Sequence, residues 1–315
     1  MPSQTRKLAF VAPAFVLALL LSVYTLAPHR AFAQSAQAAL PATSSTVHFT
    51  QIAFASTLST DSTYIDNINT NNKPNVLLFV TPNLTPFGVP RASDPHPVGV
   101  WYNTFLKEWA IFNEDKATMP LNAAFNVLVV AQPGSFGGTV FVQTAAPYNI
   151  GNNSTYIQNV TTNGNPSAQL LITQNFNPLG IGGTYNAHHV GVWYNTSLKE
   201  WAIFNQDKAT MTSGVNFNVM VGATASGGGT EFLQTTTSLN RSGNGTSINN
   251  PATNDLPNGV LFVTANWNPG GIGGTYDPHP IGVQYNTGSG EWMIVNEDGA
   301  TMPLQAAFNI LAFAS

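Results

Sequence analysis

Three histidines stand at equivalent places in this chain: His96, His188 and His279, each shortly before a Val/Ile-Gly-Val run. Neutral imidazole both ligates metals and moves protons, so the position invites a metal or general-base reading. Zinc, however, needs three or four ligands, and each of these histidines lacks a sequence neighbour at ligand spacing. The expected role is a hydrogen bond to the adjacent turn. Asn113-Glu114-Asp115, Asn205-Gln206-Asp207 and Asn296-Glu297-Asp298 place consecutive oxygens at the end of an apolar run. Calcium takes six to eight oxygens and could use such a cluster. EF-hand spacing is absent and Gln206 replaces a carboxylate, so Asp115, Asp207 and Asp298 are expected to bond the turns they begin.

Other chemistries fare no better. The 315 residues contain no cysteine, which removes thiolate metal sites, disulfides and cysteine nucleophiles together. No serine lies in a Gly-x-Ser-x-Gly elbow, and Gly288-Ser289-Gly290 reads as a hairpin turn. Glu108, Glu200 and Glu291 each precede a tryptophan at a strand start, which is no arrangement for a paired-carboxylate glycosidase. The glycine-rich segments 177–183 and 268–274 lack the Lys-Ser/Thr of a phosphate loop and are expected to be surface loops. Neither a catalytic residue nor a metal or other cofactor is assigned. Ten basic against fourteen acidic residues leave no footprint for nucleic acid.

What must position these residues is a unit repeated three times. His96-Pro-Val-Gly-Val-Trp-Tyr-Asn103 recurs as 188–195 and 279–286, at offsets of 92 and 91 residues. Glu-Trp-Ala/Met-Ile, Ala-Thr-Met and Phe-Asn-Val/Ile follow in every copy. The resulting division is 46–138, 139–229 and 230–315, preceded by a lead at 34–45. Such a period is too long for a solenoid turn and fits a small domain in tandem. Within a unit the apolar runs are short, rich in Val, Ile, Phe and Tyr, and bounded by Asn, Gly, Pro and Thr. The fold class expected is all-β: three β-sandwich or barrel domains of about 90 residues, each with its own core. Trp109, Trp201 and Trp292 recur without exception and are expected inside. Trp101 and Trp193 give way to Gln284 in the third unit. A buried unpaired amide costs ~1–3 kcal/mol, so this position is expected on an outer face or a domain junction.

Arg6 and Lys7, the apolar run from Leu8 to Leu26, and Ala31-Phe32-Ala33 before Gln34 form a signal-peptide pattern over 1–33. Its removal leaves seven basic residues against fourteen acidic ones, and the mature chain is expected to be secreted without a membrane span. The string Val-Gly-Val-Trp-Tyr-Asn…Glu-Trp-Ala-Ile-Phe-Asn-Gln-Asp…Ala-Thr-Met…Phe-Asn-Val resembles a bacterial secreted repeat module of unknown function. That resemblance implies a tandem extracellular module and brings no catalytic residues. With 8% charged residues, chains repel one another weakly. The first expectation is therefore a non-catalytic protein of adhesion, matrix or self-association. The second is a carbohydrate binder using Trp101, Trp193, Trp267 and Phe176 with Asn103, Asn195 and Asn286 alongside. A secreted hydrolase ranks third.

Overall fold

The structure, a computed structural model, describes residues 46–130, 139–222 and 229–314. The signal-peptide pattern, the lead segment and most of both Gly/Ser junctions lie outside the described residues. Among the described residues, no helix is long and apolar enough to cross a membrane.

Unit 1 contains β1 (Thr46–Ile52), β2 (Leu58–Ser59), β3 (Ser62–Ile65), β4 (Leu77–Pro82), β5 (Val98–Asn103), β6 (Glu108–Asn113) and β7 (Ala124–Val130). Unit 2 repeats them as β8 (Val140–Thr144), β9 (Ile150–Gly151), β10 (Ser154–Ile157), β11 (Leu170–Asn175), β12 (Val190–Asn195), β13 (Glu200–Asn205) and β14 (Asn216–Val221). Unit 3 has β15 (Thr230–Thr235), β16 (Arg241–Ser242), β17 (Gly245–Ile248), β18 (Val260–Ala265), β19 (Ile281–Asn286), β20 (Glu291–Asn296) and β21 (Ala307–Phe313). The all-β expectation holds. In each unit the first, seventh and fourth strands form one antiparallel sheet, and the second, third, sixth and fifth form another.

The two sheets of a unit enclose a core of alternating side chains. In unit 1, Leu78 and Val127 from one sheet meet Ile65, Val100, Trp109 and Ile111 from the other. Trp109, Trp201 and Trp292 are wholly buried, and each indole N–H donates to a backbone carbonyl, of Lys73, Asn165 and Leu256 respectively. That bond removes the cost of burying the one polar atom these large side chains carry.

The units do not stand apart as separate beads. Every residue of β7 and β21 is buried, so both faces of the three-stranded sheets are covered. The second covering is a shared cluster in which Leu77, Phe79 and Leu128 of unit 1 meet Leu171 and Met220 of unit 2 and Phe262, Leu311 and Phe313 of unit 3. This explains the near-continuous apolar runs such as Ala124–Val130: strands buried on both faces lose the alternation of half-exposed ones. Each unit thus has the core of its own that the sequence led us to expect, and shares a fourth with the other two.

Between units, strands meet in parallel. Gln174 and Asn175 of β11 pair with Gly99 and Val100 of β5. The equivalent bridges are Val192 with Asn266 and Asn83 with Val283. The fifth strand of each unit thus meets the fourth of the next, and unit 3 returns to unit 1, closing a pseudo-threefold ring. One of the repeated glycines of this strand is explained here. A Cβ on Gly191 would stand 3.0 Å from the Ala265 carbonyl oxygen, closer than a neighbouring strand permits.

Candidate functional site: the axis and the seams

Residues from β4, β11 and β18 line a pocket of about 90 Å3 together with His96, His188, His189 and His279. The three equivalent histidines, isolated in sequence, are brought together by the ring. Each donates or accepts at Nδ1 with the aspartate 19 residues on: Asp115 at 2.8 Å, Asp207 at 2.6 Å and Asp298 at 2.7 Å. The other oxygen of each aspartate accepts the N–H of Ala117, Ala209 or Ala300 at 3.0 Å. The expected turn bond of the aspartates is present, whereas the histidines bond the aspartate rather than the turn itself. Their partner was missed because it stands across the same hairpin, just past the end of the sixth strand. Among the described residues, no group of three or more His, Asp or Glu is placed to hold a metal ion.

His189 breaks the symmetry, since Pro97 and Pro280 occupy its place in the other units. Burial pushes its pKa down to about 4, although Asp298, Asp207 and Asp115 all favour its charged form. It is therefore neutral at physiological pH. Beneath the histidines, Asp94 and Asp277 accept hydrogen bonds from Asn113 and Asn296, and burial raises both carboxyls to about 6.

Seams between units carry a second set of repeated bonds. Asn126, Asn218 and Asn309, the asparagines of Phe-Asn-Val/Ile, are buried in mid-strand. Each donates across a seam to a backbone carbonyl, of Leu261, Leu78 and Leu170 respectively. Each also accepts from an asparagine of its own unit, Asn83, Asn175 or Asn266. Asn177 and Asn268 each bond both backbone groups of a tyrosine in the preceding unit, Tyr102 and Tyr194. Thr85 does half of this for Tyr285. The glycine-rich loops lie at the surface as expected, and each begins with a buried clasp.

Glu114 accepts the Asn186 N–H, Gln206 the Asp277 N–H, and Glu297 the Asp94 N–H. Burial drives Glu114 up to about 8 and Glu297 to about 7. Gln206 shows what the position requires: a neutral side chain with one accepting oxygen.

Of the ligand-binding candidates, Trp193 and Trp267 meet edge-on across the seam of units 2 and 3, with centroids 6.2 Å apart. With Asn153, Ser154, Phe204 and Tyr276 they line a cavity of about 130 Å3. Phe176 occupies the equivalent place at the first seam, packed on Tyr185 at 4.6 Å and on Phe112. Trp101 is half-buried against Tyr64. Asn103, Asn195 and Asn286 direct their oxygens to the N–H groups of the hairpin turns that follow them. Tyr185 and Tyr276 were not singled out by sequence; their signal was the loss of an aromatic in unit 1, where Ser93 stands.

A family model described as a domain of unknown function (DUF7452) matches the chain three times, over residues 33–129, 103–221 and 195–312. The chain belongs to this family. The three matches end at the close of the seventh strand of each unit, in step with the repeat seen in the structure. No curated protein and no solved structure matches it.

Proposed function

We propose that this chain is a bacterial, secreted, non-catalytic binding protein of the DUF7452 family, working in adhesion or matrix building. The observation that carries the reading is the closed ring, which holds three copies of one surface in fixed relation about an axis. A rigid array of similar sites converts weak single contacts into avidity without any new contact. Supporting it, an exposed apolar tip stands at the same place on the hairpin after the fifth strand in units 1 and 2, with Leu106 at 46% and Leu198 at 55% exposure.

Sedimentation of the mature protein over a range of concentrations, with pull-downs on cell envelopes and insoluble polysaccharides, tests the proposal. Association or retention is expected. A strict monomer retained by nothing contradicts it. Turnover of an esterase, protease or glycosidase substrate that His188→Ala abolishes would instead favour a hydrolase.

A further inference from the structure

We infer that the cavity at the seam of units 2 and 3 binds a single sugar ring of a neutral polysaccharide. The inference rests on the binding reading above and gives it a place and a ligand class.

The cavity walls are Trp193 and Phe204 from unit 2 and Trp267 and Tyr276 from unit 3, with Asn153 and Ser154 at hand. No charged side chain lines it. Sugars present apolar C–H faces and hydroxyl edges, so aromatic walls with an amide and a hydroxyl suit them, while an uncharged lining favours neutral ones. Its volume of about 130 Å3 is below the roughly 300–1,000 Å3 of pockets that take drug-sized ligands. That points to a small ring rather than a large ligand.

One feature makes this more than packing between units. Trp267 is held in place. Gly274 at φ +148° leaves room for the indole where any Cβ would overlap it, and Tyr276 packs on it at 5.6 Å. The platform is formed before the ligand arrives, which lowers the cost of binding.

The three seams show what the aromatic set is for. At the first, Trp101, Phe112, Phe176 and Tyr185 are aromatic, and Lys116 lies over Tyr185 at 4.2 Å. At the second, Lys208 lies over Tyr276 at 4.4 Å. At the third, the same places hold Gln284, Val295, Leu84, Ser93 and Gly299. The third seam nevertheless keeps its Glu297 bonds to Asp94 and Ser93 and its Thr85 bond to Tyr285. Closing a seam therefore does not require the aromatics, and their loss as a group is the loss of one site.

Affinity electrophoresis of the full chain in gels containing dextran, laminarin, mannan or hydroxyethylcellulose tests this, with thermal unfolding of each variant as a check on folding. Retardation by at least one polymer is expected. Tyr276→Ala, a change at a partly exposed side chain, should weaken it about tenfold or more. Trp267→Phe, which installs the first seam's residue, should weaken it while keeping the packing. Gln284→Ala at the third seam should leave it unchanged. No retardation by any polymer, or equal retardation of the Tyr276→Ala and Trp267→Phe variants, overturns the inference. Retention on cell envelopes that survives both variants would leave the adhesion reading standing without this pocket.

Discussion

Asn218 in β14 donates from Nδ2 to the carbonyl oxygen of Leu78 in β4, 2.9 Å away across the seam between units 2 and 1. Its Oδ1 accepts from Asn175 at 2.8 Å. Both atoms of a wholly buried amide are thereby satisfied, one within the unit and one outside it. An asparagine in the middle of an otherwise apolar strand is tolerated because the neighbouring unit completes it.

Asn218→Ala should therefore lower the stability of the whole chain by about 2–4 kcal/mol, since the Leu78 carbonyl and the Asn175 amide are both left buried and unpaired. Denaturant unfolding measures it. A loss under about 1 kcal/mol would mean that the seam is wet.

The buried acids give the stability a slope with pH. Glu114 has a folded pKa of about 8 and Glu297 of about 7, both raised by burial above the ordinary 4.5. Between the unfolded and folded values the folded state holds more protons, so stability is full below pH 4.5 and is lost as pH rises through 7 and 8. The melting temperature should fall from pH 6.5 to 8.5, and Glu114→Gln with Glu297→Gln should flatten that fall. Gln206 is the native precedent. An unchanged slope in the double variant would remove these two groups from the account.

His189→Pro puts at the axis the residue that the other two units carry. The backbone there accommodates proline in Pro97 and Pro280, so the change should stabilise by about 0.4–1 kcal/mol through the unfolded state. It should also reduce acid sensitivity between pH 6.5 and 4, where the folded histidine resists a proton that the unfolded one accepts. Melting curves across that range check both effects, and a destabilised variant would give His189 a structural role of its own.

The two tryptophan classes should separate by energy. Trp201 is wholly buried and bonded to Asn165, so Trp201→Ala should cost about 3–5 kcal/mol. Trp193 is half-buried at a seam, and Trp193→Gln should cost well below that. Equal losses in chemical denaturation would contradict the strand phasing.

Much of this was legible in the sequence because repetition compares environments within one chain. The Trp-to-Gln change at 284 pointed to an outer or junction position, and Trp193 does lie at a junction. The short apolar runs of unit 2 read as strands near 139–144, 154–160, 168–174, 190–195, 200–205 and 216–222, and β8 and β10 to β14 fall there; the two-residue β9 is too brief to carry a period. The ring was not legible. A motif such as Phe-Asn-Val reports that an amide is repeated, but not that its partner is Leu78, 140 residues earlier. The axial histidines were read one unit at a time for the same reason, and closure alone brings them together.

Closure is the central claim, and calorimetry of the chain from residue 34 onward tests it most directly. One shared cluster and a full circle of buried bonds should make the three units melt together, with a ratio of calorimetric to van't Hoff enthalpy of about one. A ratio near about three, or resolved successive transitions, would mean three independent domains and would contradict the account.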